Sequence, residues 1–84
     1  MPYSVYIKQS AEKELDRLPS KIQEIVIKKL TSLGEHPIPK GAKKLQGKEG
    51  YRIRVGDYRI LYIIHESEKK VEIISMAHRR DIYR

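Results

Sequence analysis

An α+β fold is expected for this chain: a twisted, mainly antiparallel sheet of about four to five strands, with two N-terminal helices packed on one face. Three observations point to it. Residues 51–62, YRIRVGDYRILY, alternate apolar and polar side chains about a Gly56-Asp57 pair, as a two-stranded hairpin does. Residues 11–33 instead space their apolar side chains as a helix does, with one break at Pro19. Short β-prone stretches at 3–8 and 71–77 supply further strands. Helices grouped together and strands grouped together read as a helical layer on one face of an antiparallel sheet.

In chain order, Tyr3 to Lys8 alternates and is read as a first strand. Ser10 is placed as an N-cap, with Glu12 in the first turn where negative charge suits the helix dipole. Ala11, Leu15 and Leu18 form the apolar side of that helix, which stops before Pro19. Ser20 and Gln23 match a capping box for a second helix. Its apolar set is Ile22, Ile25, Val26, Leu30 and Leu33, with Gly34 as the stop and Pro37 and Pro39 in a loop beyond. Lys43-Lys44-Leu45 is a candidate short strand.

The central hairpin follows. Gly56 at the first turn position suits a type II′ turn, since glycine accepts positive φ there at little cost. Closing on it pairs Val55 with Tyr58, Arg54 with Arg59, Ile53 with Ile60, Arg52 with Leu61 and Tyr51 with Tyr62. One face is then apolar, and the other carries Arg52, Arg54 and Arg59. Residues 65–70 form a polar turn and Val71 to Ala77 a last strand. A four-residue turn at 66–69 sets Met76 opposite Arg59, whereas an odd-length loop sets Ala77 there. Only the second keeps Arg79 in phase with the arginine face.

Eighty-four residues allow one domain, spanning 1–84, with a modest core. The chain has no cysteine, so disulfides and thiolate metal sites are excluded, and its three histidines lack metal-ligand spacing. No apolar run approaches a membrane span and the first residues are unlike a signal peptide, so a cytoplasmic protein is expected. The net charge is +7, and residues 40–84 hold twelve Lys/Arg against six Asp/Glu. A positive field concentrated around the hairpin attracts polyanions. Arg54 directly across from Arg59 is a destabilising pair. Clustered guanidinium groups kept at that cost suit a phosphate.

The segments YRIRVGDYR (51–59) and HRRDIYR (78–84), with SAEKELDRLP (10–19) and KKLQG (43–47) before them in the same order, resemble the RelE branch of the RelE/ParE toxin superfamily. The resemblance spans essentially the whole chain. It implies the toxin of a type II toxin–antitoxin pair, with a cognate antitoxin as partner. It further implies entry into the A site of the 70S ribosome and cutting of mRNA there by attack of the ribose 2′-hydroxyl on the adjacent phosphate, with no metal or other cofactor. By the same resemblance Arg52, Arg54, Arg59, Arg79 and Tyr83 are the catalytic residues. Lys40, Lys43, Lys44, Lys48, Arg80 and Arg84 become contacts to RNA phosphates. The family carries lysines where this chain has Arg52 and Arg54, and arginine is a poor general base. Which group accepts the 2′-hydroxyl proton is thus left open, and His78, beside Arg79, is a candidate. Two other readings stand beside this one: a ParE-like gyrase inhibitor that is not an enzyme, and a basic RNA-binding domain without cleavage.

Overall fold

The computed structural model describes residues 2–45 and 50–78. The elements are β1 (Ser4–Ile7), α1 (Gln9–Asp16), α2 (Ser20–Leu33), β2 (Lys43–Lys44), β3 (Tyr51–Val55), β4 (Tyr58–His65) and β5 (Lys70–His78). They build one five-stranded sheet in the order β1-β5-β4-β3-β2. Every neighbouring pair is antiparallel except β1 with β5, which is parallel. The expected α+β class and helical layer are both present.

Both helices begin differently from the capping expectations. Ser10 is not the N-cap of α1: the cap falls two residues earlier, at Lys8, and no side chain caps the helix. Lys8 is placed there by the sheet, its N–H donating to Ile73 O at 2.9 Å at the end of β1. Nor does Ser20 form a capping box with Gln23. Pro19 takes the cap position, and the Gln23 amide reaches back to Leu18 O at 2.9 Å and Asp16 O at 3.2 Å. Gln23 thus satisfies carbonyls freed at the end of α1 and fastens the two helices together. Gly34 ends α2 with φ −64°, so it stops the helix without left-handed geometry.

The core lies between the helices and one sheet face. Ala11, Leu15 and Leu18 meet Val26, Leu30 and Leu33 over Ile53, Val55, Ile60, Tyr62, Val71, Ile73 and Met76. Ile25, expected in that apolar set, is 51% exposed. A stripe that also holds Ile22, Val26 and Leu30 is wider than the sheet can cover, and Ile25 falls at its margin. Tyr62 is fully buried; its ring stacks on Tyr51 at 5.9 Å and its hydroxyl donates to Pro37 O at 2.6 Å. That bond ties the loop after α2 to the centre of the sheet.

The hairpin pairs residue for residue as its alternation requires, from Val55–Tyr58 to Tyr51–Tyr62. Gly56 has φ +59° while Asp57 does not have positive φ, as a II′ turn demands. The register of β5 combines both arrangements considered above. The connection is a four-residue one, Glu66–Glu68 forming a short 3-10 turn and Lys69 adopting φ 50°. His65 accordingly pairs with Lys70 and Tyr62 with Ile73. A bulge then shifts the register by one residue, so Leu61 pairs with Ser75 and Arg59 with Ala77. The shift turns Met76 into the core, where it is 1% exposed opposite Ile60. Glu14 holds the shifted strand from α1, accepting the Met76 N–H at 3.0 Å and the Ser75 hydroxyl at 3.3 Å.

Candidate active site

The sheet face turned away from the helices carries the charged residues of β2, β3 and β4. Side chains alternate along each strand, so Arg52 and Arg54 share this face while Ile53 and Val55 point into the core. Pairing extends the face sideways in two rows. Lys43, Arg52, Leu61 and Ser75 lie across one row, and Arg54, Arg59 and Ala77 across the next. Lys43, Arg52, Arg54 and Arg59 line a single cleft of about 140 Å³ with Gly41 and Ile53. Among the described residues, four cations and no carboxylate line it. Such a concavity selects an anion, and forked guanidinium groups match the oxygens of a phosphate.

Local bonding aims one of these side chains. Arg54 donates from Nε to Gly56 O at 3.0 Å, which folds its stem along the turn and leaves the outer edge of the fork for a ligand. Ala77 beside Arg59 keeps the wall of the row low. Had the bulge been absent, Met76 would stand there instead. Arg54 opposite Arg59 costs stability, about 0.2–1 kcal/mol for a like-charge cross-strand pair. Arg54→Glu is therefore expected to raise the urea midpoint of unfolding, by the equivalent of up to about 1 kcal/mol, while abolishing anion binding in the cleft.

The structure divides the remaining candidates. Lys43, read from the sequence as part of a broad basic surface, belongs to the cleft itself. Its neighbour Lys44 is absent from that cleft's lining; it borders a groove with Ile38, Tyr51 and Ile64 and, with Lys43, Leu45 and Arg52, a second hollow at the sheet edge. Lys40 is exposed on the loop before β2. His78 does not join the arginines. It pairs with Tyr58 and meets that ring edge-on at 5.4 Å, on the face that Tyr58 shares with Ile60 and Tyr62. The pairing and ring contact of His78 are thus with Tyr58, on the opposite face from the arginine row. The same register that puts Ala77 in the arginine row turns His78 away from it. Lys48, Arg79, Arg80, Tyr83 and Arg84 lie outside the described residues.

This face also holds a feature that no sequence motif marks. Beside the cationic cleft, Leu45, Gly50, Leu61, Ile63 and Ile74 line an apolar hollow of about 410 Å³. Leu61 and Ile63 hold the alternate positions of an almost wholly apolar β4, whose two faces composition does not tell apart. Ile74 is the extra residue of the bulge. Among the described residues, no three His, Asp or Glu side chains gather as a metal site. No described helix is long and apolar enough to cross a membrane.

Comparison with known proteins places this arrangement. The model of the family described as "ParE toxin of type II toxin-antitoxin system, parDE" matches residues 5–83. The toxin RelG of Mycobacterium tuberculosis is 34% identical over 86 aligned positions, covering 100% of this chain and 99% of that protein. The toxin RelE of the same organism is 36% identical over 85 positions, covering 99% of this chain and 88% of that one. In the crystal structure of an archaeal RelE–RelB complex from Pyrococcus horikoshii, a chain 29% identical superposes with a TM-score of 0.86, covering 94% of this chain and 97% of that one.

Proposed function

The chain belongs to the ParE toxin family of type II toxin–antitoxin systems, on its RelE-like side, and from that premise we propose that it is a ribosome-dependent endoribonuclease cutting mRNA in the A site. The observation that carries the reading is the cleft in which Lys43, Arg52, Arg54 and Arg59 converge on the open sheet face. In the proposed reaction the ribose 2′-oxygen attacks the adjacent phosphorus and the P–O5′ bond breaks. The ends are a 2′,3′-cyclic phosphate and a 5′-hydroxyl. Negative charge grows on the phosphate oxygens as the fifth bond forms, and preplaced cationic donors lower the energy of that state more than of the resting diester. Arginines suit this role because they stay charged and need no reorganisation.

Arg79 and Tyr83 are assigned to the same site by their match to the family's C-terminal motif, the tyrosine stacking on a base of the bound strand. Lys40, Lys44, Lys48, Arg80 and Arg84 supply contacts to RNA phosphates around it. The protein partner is a cognate antitoxin, in keeping with the RelE held by RelB in the Pyrococcus complex. The site of action is the cytoplasm, where ribosomes and messenger meet.

The experiment is a brief pulse of expression followed by mapping of transcript 5′ ends. New 5′-hydroxyl ends inside translated regions, absent when translation is blocked first, are the expected result. Stalled DNA replication with intact mRNA would establish the gyrase-inhibitor reading instead. Salt-dependent RNA affinity with no new ends would leave an RNA-binding domain that does not cut.

A further inference from the structure

Cleavage of an RNA strand needs more than charge neutralisation. The departing 5′-oxygen must gain a proton, or it leaves as a high-energy alkoxide. Guanidinium groups hold their protons too tightly to supply one at ordinary pH. Three of the four cations in the cleft are guanidiniums. The fourth, Lys43, is the one group among the described lining residues that can hand over a proton. His78, the other candidate near the site, lies on the opposite face against Tyr58.

We propose that Lys43 is the general acid of the reaction, its ammonium protonating the leaving 5′-oxygen while Arg52, Arg54 and Arg59 hold the phosphate. The placement follows from β2. Lys43 pairs directly across from Arg52, at the sheet edge, so it stands at one wall of the cleft with Arg54 and Arg59 one row further toward the hairpin turn. It is exposed and, among the described residues, engaged by no carboxylate. A flexible four-carbon stem carrying a compact charge can follow an oxygen as it departs, which a planar fork fixed on a phosphate cannot. The balance is complete. The 2′-oxygen bonds to phosphorus and gives its proton to water; the P–O5′ bond breaks; the ammonium passes a proton to the 5′-oxygen and regains one from solvent.

This inference rests on the nuclease reading, and its test separates the two. Ribosomes are programmed with mRNA whose scissile linkage carries either the normal 5′-oxygen or a bridging 5′-sulfur. A thiolate leaves without protonation, so the sulfur substrate has no need of a general acid. Lys43→Arg keeps the charge and removes the proton donor. It is expected to cut the oxygen substrate about 10²- to 10⁴-fold more slowly than wild type, yet to cut the sulfur substrate within about 3-fold of it. A residue that only positioned the strand would slow both substrates alike, and that result overturns the proposal. So does a Lys43→Arg protein as fast as wild type on the oxygen substrate. Wild-type protein inert on both substrates overturns the nuclease reading beneath it.

Discussion

Arg59→Ala is expected to lower RNA cleavage by about 10²- to 10³-fold, the usual loss when one preorganised donor to a developing anion is removed, and to abolish growth arrest on expression. The fold should survive. Arg59 lies on the sheet face turned away from the helices, outside the packed core. Urea unfolding should therefore still show one cooperative transition. Arg59→Lys keeps the charge and loses the fork, so its rate should fall between the two. An Arg59→Ala protein that stays fully toxic would remove the cleft from the mechanism. Arg79→Ala is expected to behave in the same way, on the strength of its family match.

The largest effect on stability is expected at Tyr62. Truncating a buried aromatic ring costs about 3–5 kcal/mol, against a total that for a domain of this size lies near the bottom of the ~5–15 kcal/mol range. With no disulfide to compensate, Tyr62→Ala should be largely unfolded at 37 °C by circular dichroism. Tyr62→Phe keeps the ring and leaves Pro37 O without its donor, costing about 1 kcal/mol. The two variants also differ in pH dependence. Burial pushes the Tyr62 hydroxyl up to about 12, with the neighbouring Tyr51 a smaller cause. The folded protein thus keeps a proton that the unfolded chain begins to lose near pH 10. Tyr62 contributes fully below pH 10, and its contribution is lost as pH rises toward about 12. Urea midpoints measured across that window should fall more steeply for wild type than for Tyr62→Phe. Parallel slopes would show that the hydroxyl is not held protonated by the fold.

Much of this site was legible because a two-residue turn with an obligatory glycine determines register. Once Gly56-Asp57 closes the hairpin, the facing of Arg52, Arg54 and Arg59 follows from alternation alone. What lay beyond reach depended on contacts between distant segments. The bulge in β5 arises because Met76 is worth more in the core than Ala77, and because Glu14 on α1 is there to receive the displaced N–H. Neither condition is visible in residues 70–78. Likewise nothing in Lys43-Lys44 says which lysine faces the arginines until the strand is laid against β3. The capping expectations failed for a related reason. Ser10 and Ser20 have the right chemistry, but Lys8 and Pro19 reach the cap positions first, Lys8 being held there by its bond to Ile73 O.

The most direct measurement replaces a single ribose. Ribosomes are programmed with an mRNA in which the nucleotide 5′ to the cut bond lacks its 2′-hydroxyl, and the purified toxin is added. If the arginine cleft stabilises an internal attack by that hydroxyl, the bond stays whole, while unmodified message yields a cyclic phosphate and a 5′-hydroxyl. Continued cutting at the deoxy position, or ends bearing a 5′-phosphate, would mean that a different nucleophile is at work and that the cleft does something else.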